Sequence, residues 1–381
     1  MRVLFQNRYD ALEGHGGDTV QMYETRDALA KLGVDVEINL EQEPDVTGYD
    51  LVHIFNIQRA DYSLAQLLNA KKHGKPVVVS TIYWDMRHIL ALDDHFRYIP
   101  FPEIKLLSRI HKALPRLYFN ARTYPCRRRI ARNARRMLSE ADLLLPNSYS
   151  ELEIIALIFN LPSVRGKAVV VPNGIRVESD AKDSDFEHGM LRDLPPEYVL
   201  EVGTYYPVKG QLALVKALMA VPDIPLVFIG PDHDGPYGQD CQRLGMKRGN
   251  TYCLGFIPHR CLAGFYERAK VHALPSLRES PGLTTLEAAA SGANCVVSFH
   301  GPIAEYFGDD VWVCDPLDLG SVRQAVVEAW HAPRSGRLKE HVLADFTWER
   351  AAQLTLQAYE RVLGTAASHW IPEPPADRGG K

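Results

Sequence analysis

The chain has 381 residues, of which 46% are hydrophobic and 24% charged, and its net charge is −4. Those values suit a soluble globular protein with ample core, favour two domains over one, and argue against generic nucleic-acid binding. No run of eighteen or more apolar residues occurs, so no transmembrane helix is expected.

The first ten residues, MRVLFQNRYD, lack the apolar core and small-residue cleavage site of a signal peptide. A cytoplasmic location is the expectation. Short apolar runs then alternate with helical patterns, which is the signature of a parallel α/β sheet. In the first half, strands are expected at Val3–Gln6, Val34–Asn39, Leu51–Phe55, Val77–Ile82, Leu143–Pro146 and Val169–Val171. They are rich in Val, Ile and Leu without strict alternation, as strands covered on both faces should be.

Thr19–Leu32 places Val20, Tyr23, Ala28 and Leu32 near one helix face and stops at Gly33, a suitable C-terminal residue. Before that helix stands His15-Gly16-Gly17. Glycines there let backbone approach a ligand at a helix N-terminus, or they simply make a flexible loop. After the strand at Val77 come Tyr83, Trp84 and Asp85. Tyr83 and Asp85 are candidates for ligand contact, with aromatic packing at a strand end as the plain alternative.

From Arg97 to Arg136 there are twelve Lys/Arg and a single acid, Glu103, interleaved with aromatic and aliphatic residues. Such a segment suits an anionic partner, either an anionic membrane surface touched peripherally or a phosphorylated or acidic acceptor. A solvated helical face is the alternative. The polar stretch Arg176–Glu197, with its Pro-Pro pair, reads as an interdomain linker.

A second series of strands is expected at Tyr198–Val202, Leu226–Ile229, Tyr252–Phe256, His272–Leu274, Cys295–Ser298 and Val311–Cys314. Asp232-His233-Asp234 spells a D-x-D pattern, but it directly follows Gly230-Pro231 and reads as a solvated turn rather than a metal site. The histidines show no zinc spacing, and no G-x-S-x-G nucleophile elbow occurs. The six cysteines are scattered without a C-x-x-C pair, so buried free thiols are expected. The helical run Glu349–Leu363 closes the fold, and the Pro/Gly-rich tail Ile371–Lys381 is expected to be disordered.

The segment with the richest chemistry is His272–Ser298, HALPSLRESPGLTTLEAAASGANCVVS. A strand leads through Ser276, Ser280, Pro281 and Gly282 into a helix over Leu283–Ala290 that Gly292 ends. Free backbone N–H groups at that helix start suit a diphosphate. Glu279 precedes the helix, and Glu287 lies one to two turns inside it. A carboxylate beside phosphate repels it, so each Glu more plausibly accepts hydrogen bonds from sugar hydroxyls. An ordinary helix start with an acid near it satisfies the same residues.

This run, with E-x(7)-E inside PS..ES.GL..LEA.A.G, resembles the donor-binding signature of family-4-type GT-B retaining glycosyltransferases (glycosyl transferases group 1). Tyr198–Leu218, VFIGPD, Leu254–Ala269, VVVPNGI and the closing Phe346–Val362 agree in order and spacing. The resemblance implies that Glu287 holds the ribose and Glu279 the donor sugar's hydroxyls. Lys209 would neutralise the diphosphate as a point charge. The implied donor site comprises Gly16, Gly17, Gly203, Thr204, Lys209, Gly230, Glu279, Ser280, Pro281, Gly282, Leu283, Thr284 and Glu287. Thr204 stands where relatives usually carry an Arg, and Tyr83 where many carry a cleft His.

The fold so implied is GT-B: two Rossmann-like, doubly wound α/β domains facing a central cleft, residues 1–176 and 177–348. The C-terminal segment 349–370 returns toward the first domain. The implied reaction is metal-independent and cofactor-independent transfer of a hexosyl unit, with retention, from a UDP- or GDP-sugar to a hydroxyl acceptor. That acceptor is a glycan, a lipid-linked molecule or a small molecule. Lys209, Glu279, Tyr83 and Asp85 are the candidate catalytic residues. An epimerase or hydrolase on the same fold, and a non-catalytic sugar-nucleotide binder, are the rival readings.

Overall fold

The computed structural model describes residues 1–12, 16–84, 128–176, 189–334 and 336–365. His15, Asp85, residues 97–127 of the basic segment and the tail 371–381 lie outside them. The chain divides into two compact units, each built on a parallel sheet. Among the described residues the first contains Met1–Tyr83, Arg128–Pro172 and residues 348–365; the second contains Asn173–Thr347 together with Trp84.

In the first unit, β1 (Arg2–Gln6), β2 (Asp35–Ile38), β3 (Leu51–Phe55), β4 (Val77–Ser80) and β5 (Leu143–Leu145) form one sheet in the order β2-β1-β3-β4-β5. Between β1 and β2 runs α1 (Gly17–Lys31), and between β3 and β4 runs α2 (Ala60–Lys72). A third helix, residues 128–140, precedes β5, and α4 (Tyr149–Ile158) follows it. The central strands are mostly apolar because helices cover both faces: Leu51, Val52, Ile54, Phe55, Val77, Val78 and Val79 are completely buried, with His53 and Ser80 the polar exceptions among them.

The run Val169–Val171 does not join this sheet as a strand. Ala168, just before it, makes one parallel bridge with Leu144, and the Val169 and Val171 amides donate to the Leu144 and Pro146 carbonyls. β5 has only three residues to offer, and Pro172 ends the pairing because it carries no N–H.

In the second unit, β6 (Tyr198–Val202), β7 (Leu226–Ile229), β8 (Thr251–Leu254), β9 (Ala269–Leu274), β10 (Asn294–Ser298) and β11 (Trp312–Cys314) form a six-stranded parallel sheet. Its order is β11-β10-β9-β6-β7-β8. The chain winds outward from β6 through β7 to β8, then crosses to β9 on the other side of β6 and winds outward again. Order therefore reverses between β6 and β9, and loops leaving the carboxyl ends of those two strands splay apart at the reversal. In open α/β sheets that is where ligands bind.

The helices of this unit are α5 (Gln211–Ala217), α6 (Pro236–Arg248), α7 (Ala263–Arg268), α8 (Leu283–Ala290), α9 (Ile303–Tyr306), α10 (Leu319–His331) and α11 (Gly336–Asp345). Leu200, Val202, Val227 and Leu286 pack into the core on one face; Val199, Leu226, Phe228 and Val326 pack into the core on the other. Buried Arg248 ends α6 by donating to the carbonyls of Leu218, Val221 and Ile224. In the polar stretch before β6, residues 177–188 lie outside the described residues; residues 189–192 are helical, and Arg268 donates to the Leu191 and Leu194 carbonyls.

The final helix, α12 (Trp348–Leu363), belongs to the first unit. It buries Ala351, Ala352, Thr355, Ala358 and Tyr359, spacings that line one helical face. Tyr359 reaches His53 of β3 at 2.6 Å, and Lys31 of α1 pairs with Glu349 at 3.1 Å. His53 also meets Ser80 Oγ at 2.9 Å. A neutral imidazole offers one donor and one acceptor, and either hydroxyl can answer either role. Burial holds its pKa down to about 3.

Among the described residues no helix is long and apolar enough to cross a membrane. Cys241, Cys253, Cys261, Cys295 and Cys314 are free thiols; Cys126 lies outside the described residues.

Candidate functional site

The loops that leave β6 and β9 are tied together by backbone. Gly210 has φ +88°, and a Cβ there would lie 2.3 Å from the Pro275 carbonyl oxygen; the Leu277 amide donates to Val208 O at 2.8 Å. Gly230, at the end of β7, lies closer still to the β6 loop. A Cβ on Gly230 would stand 1.9 Å from Gly203 O, so only glycine fits. Gly203 has room for a side chain, since the nearest atoms to its notional Cβ belong to Lys209 at 3.8 Å.

This stitching sets Lys209 opposite Glu279. Lys209 Nζ donates to Glu279 Oε2 at 2.7 Å, and Ser276 Oγ donates to the same oxygen at 3.1 Å. Trp84, grouped with this unit, lies with its ring centroid 5.8 Å from Lys209 Nζ. Thr204 contributes its carbonyl oxygen, which accepts from Gln211 Nε2 at 3.1 Å.

Gly282, φ +86°, opens α8 with no side chain capping it. The amides of Thr285 and Leu286 both donate to the Gly282 carbonyl. Pro281 is buried, whereas Leu283 and Thr284 are half-buried beside the helix start. Ser280 Oγ is buried and has no hydrogen-bond partner among the described residues. Beneath the helix, His272 of β9 meets Thr285 Oγ1 at 3.2 Å, and burial lowers its pKa to about 3. It is a core imidazole, neutral at physiological pH.

Glu287 lies on the same helix with both oxygens engaged. His259 Nε2 is 2.6 Å from Oε1, and Tyr266 donates to Oε2 at 2.7 Å. Burial, reinforced by the Glu287 charge, raises the Tyr266 pKa well above its ordinary value, so the phenol stays a donor. Both carboxylates expected at sugar hydroxyls therefore carry partners already. Neither His259 nor Tyr266 stands out in the sequence, because no local spacing links them to Glu287.

Glu201 of β6 likewise belongs to no motif in the sequence. It is fully buried, neither oxygen has a partner among the described residues, and burial raises its pKa well above the carboxylate range. Lys209 opposes that rise and Glu279 adds to it. The only hint in the sequence is one acid inside an otherwise apolar strand.

The candidates in the first unit have local roles. A Cβ on Gly16 would fall 2.5 Å from Asp18 Oδ1 and 3.1 Å from Arg8 Nη2, so this glycine makes room for the Arg8–Asp18 ion pair, 2.9 Å long. Gly17 has nothing within 4 Å of its notional Cβ. The Tyr83 ring packs edge-on against Phe159 with centroids 5.2 Å apart, and its amide donates to Glu151 Oε1 at 2.8 Å. Asp232 and Asp234 are exposed in the turn before α6, and His233 Nε2 lies 3.3 Å from Asp234 Oδ1.

With this geometry in place, comparison with known proteins adds three findings. Residues 185–335 match the family described as "Glycosyl transferases group 1". The chain is 28% identical over 258 residues to a D-inositol 3-phosphate glycosyltransferase of Mycolicibacterium smegmatis, covering 64% of this chain and 58% of that protein. It spans less than two thirds of the length of the first curated relatives it matches.

Among solved structures, sucrose-phosphate synthase from Thermosynechococcus elongatus aligns over 96% of this chain and 100% of its own, with TM-score 0.69 and 16% identity. HepE from Anabaena, solved in complex with UDP, aligns over 96% and 98%, with TM-score 0.59 and 15% identity. The likeness to these structures is one of fold, the GT-B architecture of two parallel-sheet α/β domains.

Proposed function

We propose, from the match of residues 185–335 to the glycosyl transferases group 1 family, that the protein is a glycosyltransferase. In this reading it moves a hexosyl unit from a nucleoside diphosphate sugar to a hydroxyl acceptor with retention and without a metal. The observation that carries the reading is the Lys209–Glu279 pair, 2.7 Å apart, where the sheet order reverses and beside the uncapped start of α8.

The pair suits a donor with a charged and a neutral half. On donor entry Glu279 exchanges Lys209 for sugar hydroxyls, and Lys209 turns to the diphosphate. The N–H groups at Gly282 and Leu283 face the same negative charge. Because the leaving group is a diphosphate, stabilising its growing charge lowers the barrier. Glu287, oriented by Tyr266 and His259, receives the ribose hydroxyls. A front-face path, with the leaving phosphate helping to take the acceptor's proton, fits a site whose carboxylates, Glu279 and Glu287, are both given to hydroxyls in this reading. The UDP bound by the Anabaena protein favours a uridine donor.

The test is incubation with UDP- and GDP-sugars, each with and without hydroxyl acceptors, following release of nucleoside diphosphate. Acceptor-dependent release with a retained anomeric centre supports the proposal. Acceptor-independent turnover marks an epimerase or hydrolase, and binding without turnover marks a binding protein.

A further inference from the structure

The loops after β9 and β10 hold a charged group that the donor reading above does not use. Leu274 of β9 is in register with Val297 of β10, so the two loops leave the sheet side by side. Arg278 lies on the first loop and His300 on the second. The loops stay close: a Cβ on Gly301 would lie 3.7 Å from Glu279 O.

His300 is half-buried, its ring centroid is 4.0 Å from that of Phe299, and its amide donates to Ser298 Oγ at 3.1 Å. Burial and the neighbouring Arg278 guanidinium lower its pKa, with Asp315 working the other way. Arg278 is itself half-buried and makes no hydrogen bond or ion pair among the described residues.

Two of the neighbouring charges are matched, and Asp315 acts on His300 without an ion pair to Arg278 among the described residues. Lys209 is paired with Glu279, and Glu287 is held by Tyr266 and His259. Among the described residues Arg278 is thus a cation of these loops without a counter-ion. Ser280 Oγ, two residues on, is buried and without a partner among the described residues. A half-buried guanidinium lacking a counter-ion and a buried hydroxyl lacking a partner both call for acceptor oxygens.

We propose that Arg278, His300 and Ser280 form an anion subsite beside Glu279 that receives charged oxygens of the donor. Those oxygens belong either to the diphosphate or to a carboxylate on the sugar, since a planar guanidinium pairs with both in bidentate fashion. The subsite rests on the nucleotide-sugar reading for its ligand, and its test separates the two.

The experiment is calorimetric titration of the wild-type chain, Arg278→Gln and His300→Ala with inorganic pyrophosphate, UDP-glucose and UDP-glucuronate. Arg278→Gln is expected to weaken binding by roughly tenfold or more, with a smaller loss in His300→Ala. A loss shared by all three probes assigns the subsite to the diphosphate; a loss confined to UDP-glucuronate assigns it to a sugar carboxylate. Binding of nucleotide sugars that is unchanged in Arg278→Gln overturns the subsite and leaves the function intact. Arg278-dependent binding of pyrophosphate alone keeps the subsite and overturns the uridine donor. A wild-type chain that binds none of the probes sinks the subsite and the uridine donor together.

Discussion

Lys209 Nζ stands 2.7 Å from Glu279 Oε2, so the cation and the carboxylate of the donor loops neutralise one another before a ligand arrives. The side chains are 22% and 13% exposed. Removing either partner therefore leaves the other charged, partly desolvated and unmatched.

Replacing Lys209 or Glu279 with Ala is expected to cut sugar transfer by about 10²-fold or more while the far-ultraviolet spectrum stays native. The double variant should lose less than the product of the two single losses, because the residues act as one unit. Steady-state rates on a donor-acceptor pair found by the screen check this; near-normal turnover in either single variant removes the pair from the mechanism.

Gly230→Ala should destabilise the second unit, because its Cβ would meet Gly203 O at 1.9 Å and the β6 loop must shift to admit it. A cost of about 1–3 kcal/mol is expected, read as a lower urea midpoint with an unchanged slope. Gly17→Ala, with nothing within 4 Å, serves as the contrast. It should lie within about 1 kcal/mol of the wild type, on the stabilising side if helix propensity decides.

Much of this was legible in the chain. Leu51–Phe55, Tyr198–Val202, Leu226–Ile229 and the helix Leu283–Ala290 stand where apolar runs and bounding turn residues put them. β9 begins at Ala269 rather than His272, because the short helix Ala263–Arg268 runs straight into it without a turn residue to mark the join. The partners of Glu287 were illegible for a different reason. His259 and Tyr266 lie 28 and 21 residues upstream, across β9, and only the completed sheet brings them to α8. Gly16 reads in sequence either as a ligand-facing glycine or as part of a flexible loop, and the side-chain space it leaves, which holds the Arg8–Asp18 pair, has no local signature.

Acid should weaken the fold through His53 and His272. Both are buried and held neutral, with pKa values pushed down to about 3, below the value near 6.5 in an unfolded chain. The unfolded state then binds more protons between those limits. Stability is full above about pH 6.5 and declines as pH falls toward 3, by up to about 1.4 kcal/mol per pH unit for each histidine. Urea unfolding between pH 7 and pH 4 measures the slope. Substituting His272 with Leu should flatten it, and an unchanged slope would exclude His272 as a source.

Glu201→Gln carries the opposite sign. Burial raises the carboxyl's pKa well above its ordinary value, so the wild type loses stability as pH rises and ionisation of the unfolded chain is favoured. The uncharged isostere escapes that loss. It should match the wild type near pH 4.5 and exceed it progressively toward pH 8 in urea unfolding. Equal midpoints at every pH would show that Glu201 ionises as readily folded as unfolded.

The closing helix gives the first unit a timing problem as well as a contact. Tyr359 meets His53 across 306 residues of chain, and Glu349 meets Lys31 across 318, while the whole second sheet is encoded between them. A nascent chain leaving the ribosome therefore presents β1 to β5 long before the helix that covers them exists. The second unit, contiguous from β6 to β11, is free to fold first as a local block. Closing so long a loop is slow but adds little entropy for its length. The early half is thus the stretch most exposed to chaperones during synthesis, and its completion reports that translation has passed residue 359.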